Sequence, residues 1–133
     1  MTSSPLDRIA AGDATTILTV DDSRTMRDML RMTLCAAGFR VVQAVDGEDG
    51  LSVLDGETPS VIITDINMPR LDGFGFIARV RADERFLGVP ILVLTTESSA
   101  EKKSQARQAG ATGWIVKPFD AARLVDVVRR VAA

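Results

Sequence analysis

The 133-residue sequence contains no histidine and no tyrosine, and it has only one cysteine and one tryptophan. Without histidine, the chain lacks the most common general base, a frequent metal ligand and any phosphohistidine of its own. With Cys35 alone, it forms neither an internal disulfide nor a cysteine-based zinc site, which favours a reducing compartment. Cys35 falls in an amphipathic stretch, where we expect a small buried side chain rather than a reactive thiol. Chemistry in this chain must therefore use carboxylates, hydroxyls and lysine.

The sequence also has little net charge and no long apolar run. Its 16 lysines and arginines nearly balance 18 aspartates and glutamates, giving a formal net charge of −2. No basic field therefore attracts nucleic acid or an anionic membrane. No apolar run approaches the ~18 residues of a membrane span, and the first residues lack the pattern of a signal peptide. We expect no nucleic-acid partner, no membrane partner and a cytoplasmic protein.

The distribution of apolar segments indicates one domain preceded by a tail. Residues 1–15 are rich in small and polar residues without periodicity, which predicts a flexible N-terminal tail before a domain at 16–133. Within that domain, short and nearly continuous apolar runs are typical of buried parallel strands. The predicted strands are residues 17–20, 40–44, 61–64, 91–94 and 113–116.

Helical patterns fill the gaps between these runs. In the last of them the apolar residues recur at i, i+3, i+4 and i+7, as in an amphipathic helix: Leu124, Val127, Val128 and Val131. Earlier helices are predicted at about 23–37, 46–54 and 99–109, with another that begins at about 73. On the first helix we expect Met29 and Leu34 to share the buried face. Gly38 and Gly110 stand where a glycine commonly ends a helix.

The alternation of five strands with five helices predicts an α/β fold. Because connections between parallel strands are right-handed, the helices must cover both faces of a parallel sheet. For five short strands we expect the flavodoxin-like (βα)5 doubly wound sheet, with strand order 2-1-3-4-5. Ligands of such sheets bind outside the carboxyl ends of the strands, here between the first and third strands.

Charged and hydroxyl side chains stand at these strand ends. Asp21 and Asp22 follow the first strand, Asp65 the third, Thr95 the fourth and Lys117 the fifth. Taken singly, each has an ordinary explanation as a helix cap, a turn residue or a solvated charge. Three neighbouring carboxylates, however, repel one another by about 4 kcal/mol per pair at 4 Å and an effective dielectric near 20. A positive charge must therefore lie among them.

Two cations are compatible with this acidic cluster. One is Lys117 itself, and the other is a hard divalent metal ion. Oxygen ligands without histidine or cysteine select Mg²⁺ over zinc or copper. Mg²⁺ usually keeps several waters and binds phosphate oxygens, so the metal would let an acidic site accept a phosphoryl group.

Two nucleotide-binding interpretations fail on context. Residues 73–78 match the G-x-G-x-x-A dinucleotide fingerprint, but they do not follow the first strand of a dinucleotide-binding unit. The sequence also lacks the G-x-x-x-x-G-K-[ST] phosphate loop, so ATP is not the expected phosphoryl source. A flavin carrier of the same fold is a further alternative, although Asp21 and Asp22 would repel the phosphate of the cofactor.

Four motifs in order carry a resemblance to a known family. They are VDDS at residues 20–23, DINMPRLDG at 65–73, LTT at 94–96 and VKPF at 116–119. Over about residues 16–131, the chain resembles the receiver domain of bacterial two-component response regulators. Within that family, SRTMR at 23–27, Glu97 and AGATGW at 109–114 resemble CheY-type single-domain chemotaxis regulators most closely.

The resemblance implies a phosphoryl-transfer site. Asp65 would be the phosphoacceptor, attacking the phosphorus of a phosphohistidine on a partner histidine kinase. Asp22 and Asp65 would bind Mg²⁺ directly, together with the main-chain carbonyl of Asn67, and Asp21 would hold a metal-bound water. The implied reaction is the transfer and loss of its own phosphoryl group, so the chain is not expected to be an enzyme acting on other substrates.

The remaining implied roles concern the phosphoryl group and the response to it. Lys117 would pair with Asp65 before the reaction and with a phosphoryl oxygen afterwards, and Thr95 would donate its hydroxyl to another oxygen. The resemblance also implies a cis peptide bond before Pro118. On phosphorylation, Thr95 would move towards the phosphoryl group and Trp114 would swing inward. On the residues alone, an ordinary packing role for Trp114 remains open.

The resemblance further implies output through protein contact. The expected partners are a chemotaxis histidine kinase, a flagellar motor switch protein and, as a further option, a phosphatase; the chain itself is expected to be monomeric. Ser98 and Lys103 would lie on the partner surface with Trp114, while Asn67 and Glu97 would tune dephosphorylation. Two alternatives remain open: a phosphate sink that drains the kinase, and a regulator of a non-motor protein.

Overall fold

Five parallel strands form one sheet in the computed structural model, which describes residues 15–132. The strand order is β2-β1-β3-β4-β5, which confirms the predicted flavodoxin-like topology. The strands are β1 (Thr16–Val20), β2 (Arg40–Ala44), β3 (Val61–Thr64), β4 (Ile91–Thr95) and β5 (Gly113–Val116). Apart from Thr15, the predicted N-terminal tail at 1–15 lies outside the described residues.

In the described part of the chain, five α-helices alternate with the strands, as the apolar periodicity predicts. They are α1 (Arg24–Ala36), α2 (Gly47–Leu54), α3 (Gly73–Arg81), α4 (Ala100–Ala109) and α5 (Ala121–Ala132), and a short 3-10 turn covers Glu84–Phe86. The C-terminal glycines behave as expected, because Gly38 and Gly110 take φ values of 95° and 120° just beyond α1 and α4. Within residues 15–132, no helix is long and apolar enough to span a membrane.

The two faces of the sheet bury separate apolar cores. Alternating residues of β1 divide between them, since Leu18 and Val20 face one core and Ile17 faces the other. The first core is covered by α2, α3 and α4, which contribute residues such as Leu54, Phe76 and Ala106. The second is covered by α1 and α5, which bury Leu30, Leu34, Leu124 and Val128. Helices therefore pack on both sides of the sheet.

Two expectations for α1 are wrong. Cys35, predicted to be a small buried side chain, is exposed, and Met29 is 45% exposed rather than buried. The reason is the narrow contact that one helix makes with a sheet. Only Leu30 and Leu34, which lie one turn apart, are fully buried on α1. Neighbouring positions are rotated by about 100° per residue and so face solvent.

The helix α2 contains Gly50 in its interior, a choice that costs about 1 kcal/mol relative to alanine. The tertiary structure explains this glycine. A Cβ atom built on Gly50 would lie 2.7 Å from the ring of Phe76 in α3. The absence of a side chain therefore allows α2 to approach α3 closely and to bury Phe76 completely.

The register of β1 and β3 determines which residues lie next to each other where these two strands end. Val20 of β1 pairs with Thr64 of β3, so the residues just beyond these strands emerge side by side. These residues are Asp21 and Asp65. The main-chain N–H of Asp65 also donates to the oxygen of Val20 at 3.0 Å, which joins the two strand ends directly.

Candidate functional site

Three carboxylates meet at the carboxyl ends of β1 and β3. Asp21, Asp22 and Asp65 each offer an oxygen, and these oxygens lie within 4.8 Å of one another. Asp21 and Asp65 are buried, with 2% and 9% of their surfaces exposed, whereas Asp22 is exposed. The predicted acidic cluster is therefore present, and its open side is the one that carries Asp22.

The helix-capping roles that could have explained Asp22 and Thr95 belong to other side chains. Ser23, rather than Asp22, caps α1 by accepting a hydrogen bond from the N–H of Met26 at 3.2 Å. Ser99, rather than Thr95, caps α4 by accepting from the N–H of Lys102 at 3.2 Å. Helix capping therefore does not explain why Asp22 and Thr95 stand at the strand ends.

Lys117 supplies the positive charge that the cluster requires. From the end of β5, its Nζ atom lies 2.8 Å from Oδ2 of Asp65 and 2.9 Å from Oδ2 of Asp21. Its main-chain N–H donates to the oxygen of Thr95 at 2.8 Å, which anchors its backbone to the end of β4. The bond to Asp65 is the one the resemblance implied, and the bond of 2.9 Å to Asp21 is additional. The peptide bond between Lys117 and Pro118 is cis.

Burial and hydrogen bonding oppose each other in this group. Burial raises the pKa of Asp21 above its usual value, although the N–H of Ser23 and the ammonium of Lys117 act in the opposite direction. Burial lowers the pKa of Lys117, but its hydrogen bonds to Asp65 and Asp21 outweigh this effect and leave the pKa raised. The lysine is therefore positively charged at neutral pH.

Both oxygens of Asp65 have defined partners. Oδ1 accepts a hydrogen bond from the N–H of Ile66 at 2.6 Å, and Oδ2 accepts from Lys117. The carboxylate is consequently held in one orientation at the edge of the sheet. A carboxylate in this position, with a fixed ammonium beside it, is suited to nucleophilic attack on an electrophile of high negative charge.

A hydrogen-bonded path leads from the buried end of β4 to the side chain of Trp114. The hydroxyl of Thr95, which is fully buried, accepts a hydrogen bond from the N–H of Glu97 at 3.3 Å. The carbonyl of Glu97 accepts from Nε1 of Trp114 at 3.1 Å. The ring of Trp114 is half-buried and packs against the core under α2, α3 and α4.

The other predicted residues lie around this group. Asn67 is exposed in the loop that begins after Asp65, and Glu97 is half-exposed. Ser98 is exposed just before α4, and Lys103 is exposed on that helix. Lys103 and Trp114 line the same small cavity of about 70 Å³, so the structure does bring these two predicted surface residues together.

Sequence reasoning missed the contacts that arginine side chains make with the loops after β1 and β2. Nη1 of Arg27 donates to the main-chain oxygen of Asp21 at 2.8 Å, and Gln43 donates to the oxygen of Arg27 at 3.0 Å. A second arginine, Arg70, pairs with the buried Asp46 in the loop after β2. The sequence offers little signal for these pairs, because the partners are separated by up to 24 residues.

The glycine pattern at 73–78 has a structural explanation. Asp72 caps α3, and its Oδ1 accepts a hydrogen bond from the N–H of Gly75 at 2.9 Å. A Cβ atom on Gly73 would collide with the main-chain oxygen of Asp65. The fingerprint therefore reflects close packing of a helix against the loop that follows Asp65.

The residues of the acidic cluster fit a hard divalent cation. All three side chains offer carboxylate oxygens, which Mg²⁺ prefers over the nitrogen and sulfur ligands that zinc and copper take. Asp22 is exposed and gives access from solvent. One cation, Lys117, already lies against Asp21 and Asp65, and it leaves Asp22 without this neutralisation.

Comparison with families of known proteins matches residues 17–129 to the response regulator receiver domain. The chain belongs to this family. Membership supports a role for this receiver domain in phosphoryl-accepting signalling, since receiver domains are signalling modules.

Two curated relatives differ in their length. The receiver domain is 41% identical over 105 residues to chemotaxis protein CheY1 of Helicobacter pylori, a match that spans 77% of this chain and 85% of that protein. It is 37% identical over 119 residues to the probable transcriptional regulator ycf27 of Porphyridium aerugineum, a match that spans 86% of this chain. The chain covers only 48% of the length of ycf27, about half of that relative.

Two solved structures share the fold closely. Chemotaxis protein CheY4 of Vibrio cholerae has a TM-score of 0.85 and 43% identity, with 89% of this chain and 98% of that one covered. The receiver domain of sensor histidine kinase PA1611 of Pseudomonas aeruginosa was solved with a magnesium ion in its active site cleft. It has a TM-score of 0.83 and 28% identity, with 90% of this chain and 98% of that one covered. These similarities confirm the resemblance to CheY-type regulators.

Proposed function

We propose that this receiver domain accepts a phosphoryl group on Asp65 from a phosphohistidine of a partner histidine kinase. The observation that carries the proposal is the placement of the Asp65 carboxylate within the acidic cluster, with the ammonium of Lys117 2.8 Å away. The family match and the similarity to CheY1 and CheY4 support the same reaction.

The transfer requires alignment and charge neutralisation rather than acid–base chemistry. An Asp65 oxygen forms a bond to phosphorus as the phosphorus–nitrogen bond of the phosphohistidine breaks, and the electron pair of that bond returns to the imidazole nitrogen. Lys117 then exchanges its bond to Asp65 for one to a phosphoryl oxygen. Thr95 donates its hydroxyl to another oxygen, which stabilises the negative charge of the product.

The acidic cluster is proposed to hold Mg²⁺. Asp22, Asp65 and the main-chain carbonyl of Asn67 would bind the ion directly, and Asp21 would bind it through water. The oxygen-only donor set supports this assignment, as does the magnesium site of the PA1611 receiver domain. When bound, the ion neutralises phosphoryl oxygens that would otherwise be repelled by three carboxylates.

Phosphorylation is proposed to change a surface through Thr95 and Trp114. Thr95 accepts a hydrogen bond from the N–H of Glu97, so movement of Thr95 towards the phosphoryl group would shift this bond. The carbonyl of Glu97 carries the bond from Trp114, so the position of the indole is coupled to that change. New charge at Asp65 would thereby bias a two-state element.

The output is proposed to be contact with a flagellar motor switch protein, and the cell compartment the cytoplasm. The chemotaxis relatives support this choice, and Lys103 and Ser98 lie near Trp114 as exposed residues that a partner can reach. We expect the chain to act as a monomer in this interaction, and a phosphatase to be a further partner. The similarity to ycf27 supports the alternative that the target is a non-motor protein.

A phosphate sink is the second candidate function. Its support is a resemblance, because Asn67 and Glu97, two residues after Asp65 and Thr95, are similar to the pairing in fast-hydrolysing chemotaxis regulators; both residues are accessible to solvent. Pull-down with kinase and motor components, before and after phosphorylation, separates the two functions. A sink retains the kinase and ignores the motor component in both states, whereas a motor regulator binds that component better when it is phosphorylated.

Incubation with Mg²⁺ and acetyl phosphate tests the central proposal. We expect a gain of one phosphoryl mass and a change in Trp114 fluorescence. Asp65→Asn should abolish both, while Asp126→Asn, which removes an exposed carboxylate of α5, should leave both unchanged. Labelling that persists in Asp65→Asn would move the acceptor elsewhere. No labelling of the wild type, under conditions that label another receiver domain, would contradict the proposed reaction.

A further inference from the structure

Two loops at the carboxyl edge of the sheet are joined by an ion pair outside the proposed phosphorylation site. Arg70, in the loop between β3 and α3, donates from Nε to Oδ2 of Asp46 at 2.7 Å, and its Nη2 pairs with the same oxygen. Asp46 is 1% exposed and caps α2, because its Oδ1 accepts from the N–H of Asp49 at 2.8 Å. The arginine therefore binds a carboxylate that also caps the N-terminus of a helix.

The two loops also touch through their backbones. The N–H of Gly47 donates to the oxygen of Leu71 at 3.2 Å. A Cβ atom on Gly47 would lie 2.5 Å from that oxygen and 2.9 Å from the side chain of Leu71, so no larger residue fits between the loops. The Arg70–Asp46 pair is thus reinforced by a close backbone contact one residue further along each loop.

The backbone of Arg70 is strained. Within residues 15–132 it is the one non-glycine residue with a positive φ, at 67°. A side chain with a Cβ atom adopts this left-handed conformation only when its surroundings stabilise it. Here a backbone bond spans the residue, because the N–H of Leu71 donates to the oxygen of Pro69 at 2.8 Å, and the same conformation brings the Arg70 guanidinium to the buried carboxylate of Asp46.

This strained loop begins at the proposed phosphoacceptor. The N–H of Gly73 donates to the oxygen of Ile66 at 2.8 Å, which closes the loop at its base next to Asp65. Asn67 lies inside the closed loop, and Arg70 and Leu71 lie on its far side. The base of the loop is therefore closed by a backbone hydrogen bond just beyond β3, and its far side is held by Asp46 and Gly47.

We propose that the Arg70–Asp46 pair positions the loop at 66–72 so that its backbone is ready to bind Mg²⁺. The inference rests on the proposed function, in which the carbonyl of Asn67 is a metal ligand. Arg70 and Asp46 are positioning residues, since they act through the loop and do not touch the acidic cluster. Loss of the pair leaves the far side of the loop held by the Gly47–Leu71 contact alone, so binding the ion would then require further ordering of the loop.

Magnesium titration of the purified, unphosphorylated protein by calorimetry tests this inference. We expect Arg70→Ala to raise the Kd for Mg²⁺ by on the order of tenfold, as loss of an outer-shell contact commonly does. Arg70→Lys keeps the positive charge and should restore part of the affinity. Labelling by acetyl phosphate should slow in Arg70→Ala at limiting Mg²⁺ and recover at saturating Mg²⁺, because the substitution lowers the affinity for the ion and leaves the reacting residues unchanged.

Amide hydrogen exchange in metal-free protein supplies a readout independent of phosphorylation. Amides at 66–73 should exchange faster in Arg70→Ala than in the wild type. Arg70→Gly, which adopts a positive φ without strain, should perturb the loop less than Arg70→Ala. Arg130→Ala, which removes an exposed arginine of α5, is the charge-matched control and should resemble the wild type in both measurements.

The outcomes separate this inference from the function on which it rests. A wild-type Kd and wild-type exchange in Arg70→Ala would overturn the positioning role while leaving the phosphorylation site intact. A wild type that neither binds Mg²⁺ nor gains a phosphoryl group would instead contradict the proposed function. If urea titration shows that Arg70→Ala is not folded, Arg70→Lys and Arg70→Gly are compared with the wild type instead. Wild-type Mg²⁺ affinity and loop exchange in both of them would also overturn the inference.

Discussion

The indole Nε1 of Trp114 donates a hydrogen bond of 3.1 Å to the main-chain oxygen of Glu97. The main-chain N–H of Glu97 donates to the hydroxyl of Thr95. The backbone of Glu97 therefore links the buried end of β4 to an aromatic side chain of β5. The position of the aromatic ring is therefore coupled to the loop after Thr95 by a hydrogen bond, in addition to the packing of the ring against the core.

Replacing Trp114 with phenylalanine separates these two contributions. Trp114→Phe keeps an apolar ring but removes the donor to Glu97, which should lower the free energy of unfolding by about 1 kcal/mol, the typical net value of one hydrogen bond. Urea unfolding followed by circular dichroism measures this loss. Labelling by acetyl phosphate should remain close to that of the wild type, while binding of the phosphorylated form to its partner weakens. Unchanged stability would show that the hydrogen bond makes no net contribution.

Lys117→Gln should slow phosphorylation without preventing metal binding. The substitution removes the ammonium that contacts Asp65 and Asp21, and loss of one fixed electrostatic contact in a reaction site commonly costs on the order of 10²-fold in rate. The three carboxylates remain, so Mg²⁺ should still bind. The initial rate of labelling by acetyl phosphate at saturating Mg²⁺ measures the effect, and Lys103→Gln is the exposed control. A labelling rate equal to that of the wild type would exclude a direct role for the lysine in transfer.

Thr19→Val should stabilise the protein. Thr19 is fully buried in β1, and within residues 15–132 its hydroxyl is the buried side-chain group that lacks a hydrogen-bond partner. Valine has nearly the same shape without the unsatisfied oxygen, so we expect a gain of about 1 kcal/mol in the free energy of unfolding. Thr64→Val is the matched comparison, because the Thr64 hydroxyl donates to the oxygen of Asp65 at 2.9 Å and its loss should destabilise. Equal effects of the two substitutions would contradict this explanation.

Asp46→Asn should reduce the dependence of stability on acid pH. The N–H of Asp49 is the largest influence that holds the pKa of Asp46 below its usual value of 3.8, and Arg70 and the N–H of Glu48 add to it despite the burial of the carboxyl. Because the folded-state pKa is depressed, this contribution to stability is complete above pH 3.8 and is lost as the pH falls through the folded-state pKa.

Urea unfolding at a series of pH values checks the expected sign. The stability difference between the wild type and Asp46→Asn should be constant from pH 7 down to about pH 5 and should shrink below pH 4. Asp126→Asn, in an exposed position of α5, should show no such convergence. A difference that stays constant into the acid range would mean that ionisation of Asp46 does not contribute to folding.

The regular elements were predictable because their signals are local. All five strands and five helices lie within a few residues of the positions that apolar periodicity indicates, and Gly38 and Gly110 end their helices as expected. The errors concern which side of a helix is buried. Cys35 and Met29 lie close to the apolar stripe of α1 in a helical projection, yet contact with the sheet is limited to the centre of that stripe.

The composition of the acidic cluster was also predictable, since residues after parallel strands must meet at one edge of the sheet. Asp21, Asp22, Asp65 and Lys117 were brought together by that rule. The contacts that depend on side-chain reach were not. Three such contacts are the bond from Lys117 to Asp21, the bond from Arg27 to the main-chain oxygen of Asp21, and the Arg70–Asp46 pair. In each of them, the separation of the two residues along the chain says nothing about their distance in space.

The sequence by itself determined the alternation of strands and helices, the topology of the sheet and the set of polar residues at its carboxyl edge, because these follow from periodicity and chain connectivity. Only the tertiary structure decided which carboxylates share the ammonium of Lys117, how the Trp114 indole is held, and that Arg70 takes a left-handed backbone conformation. These features depend on the direction and length of individual side chains after packing, which no local pattern in the chain encodes.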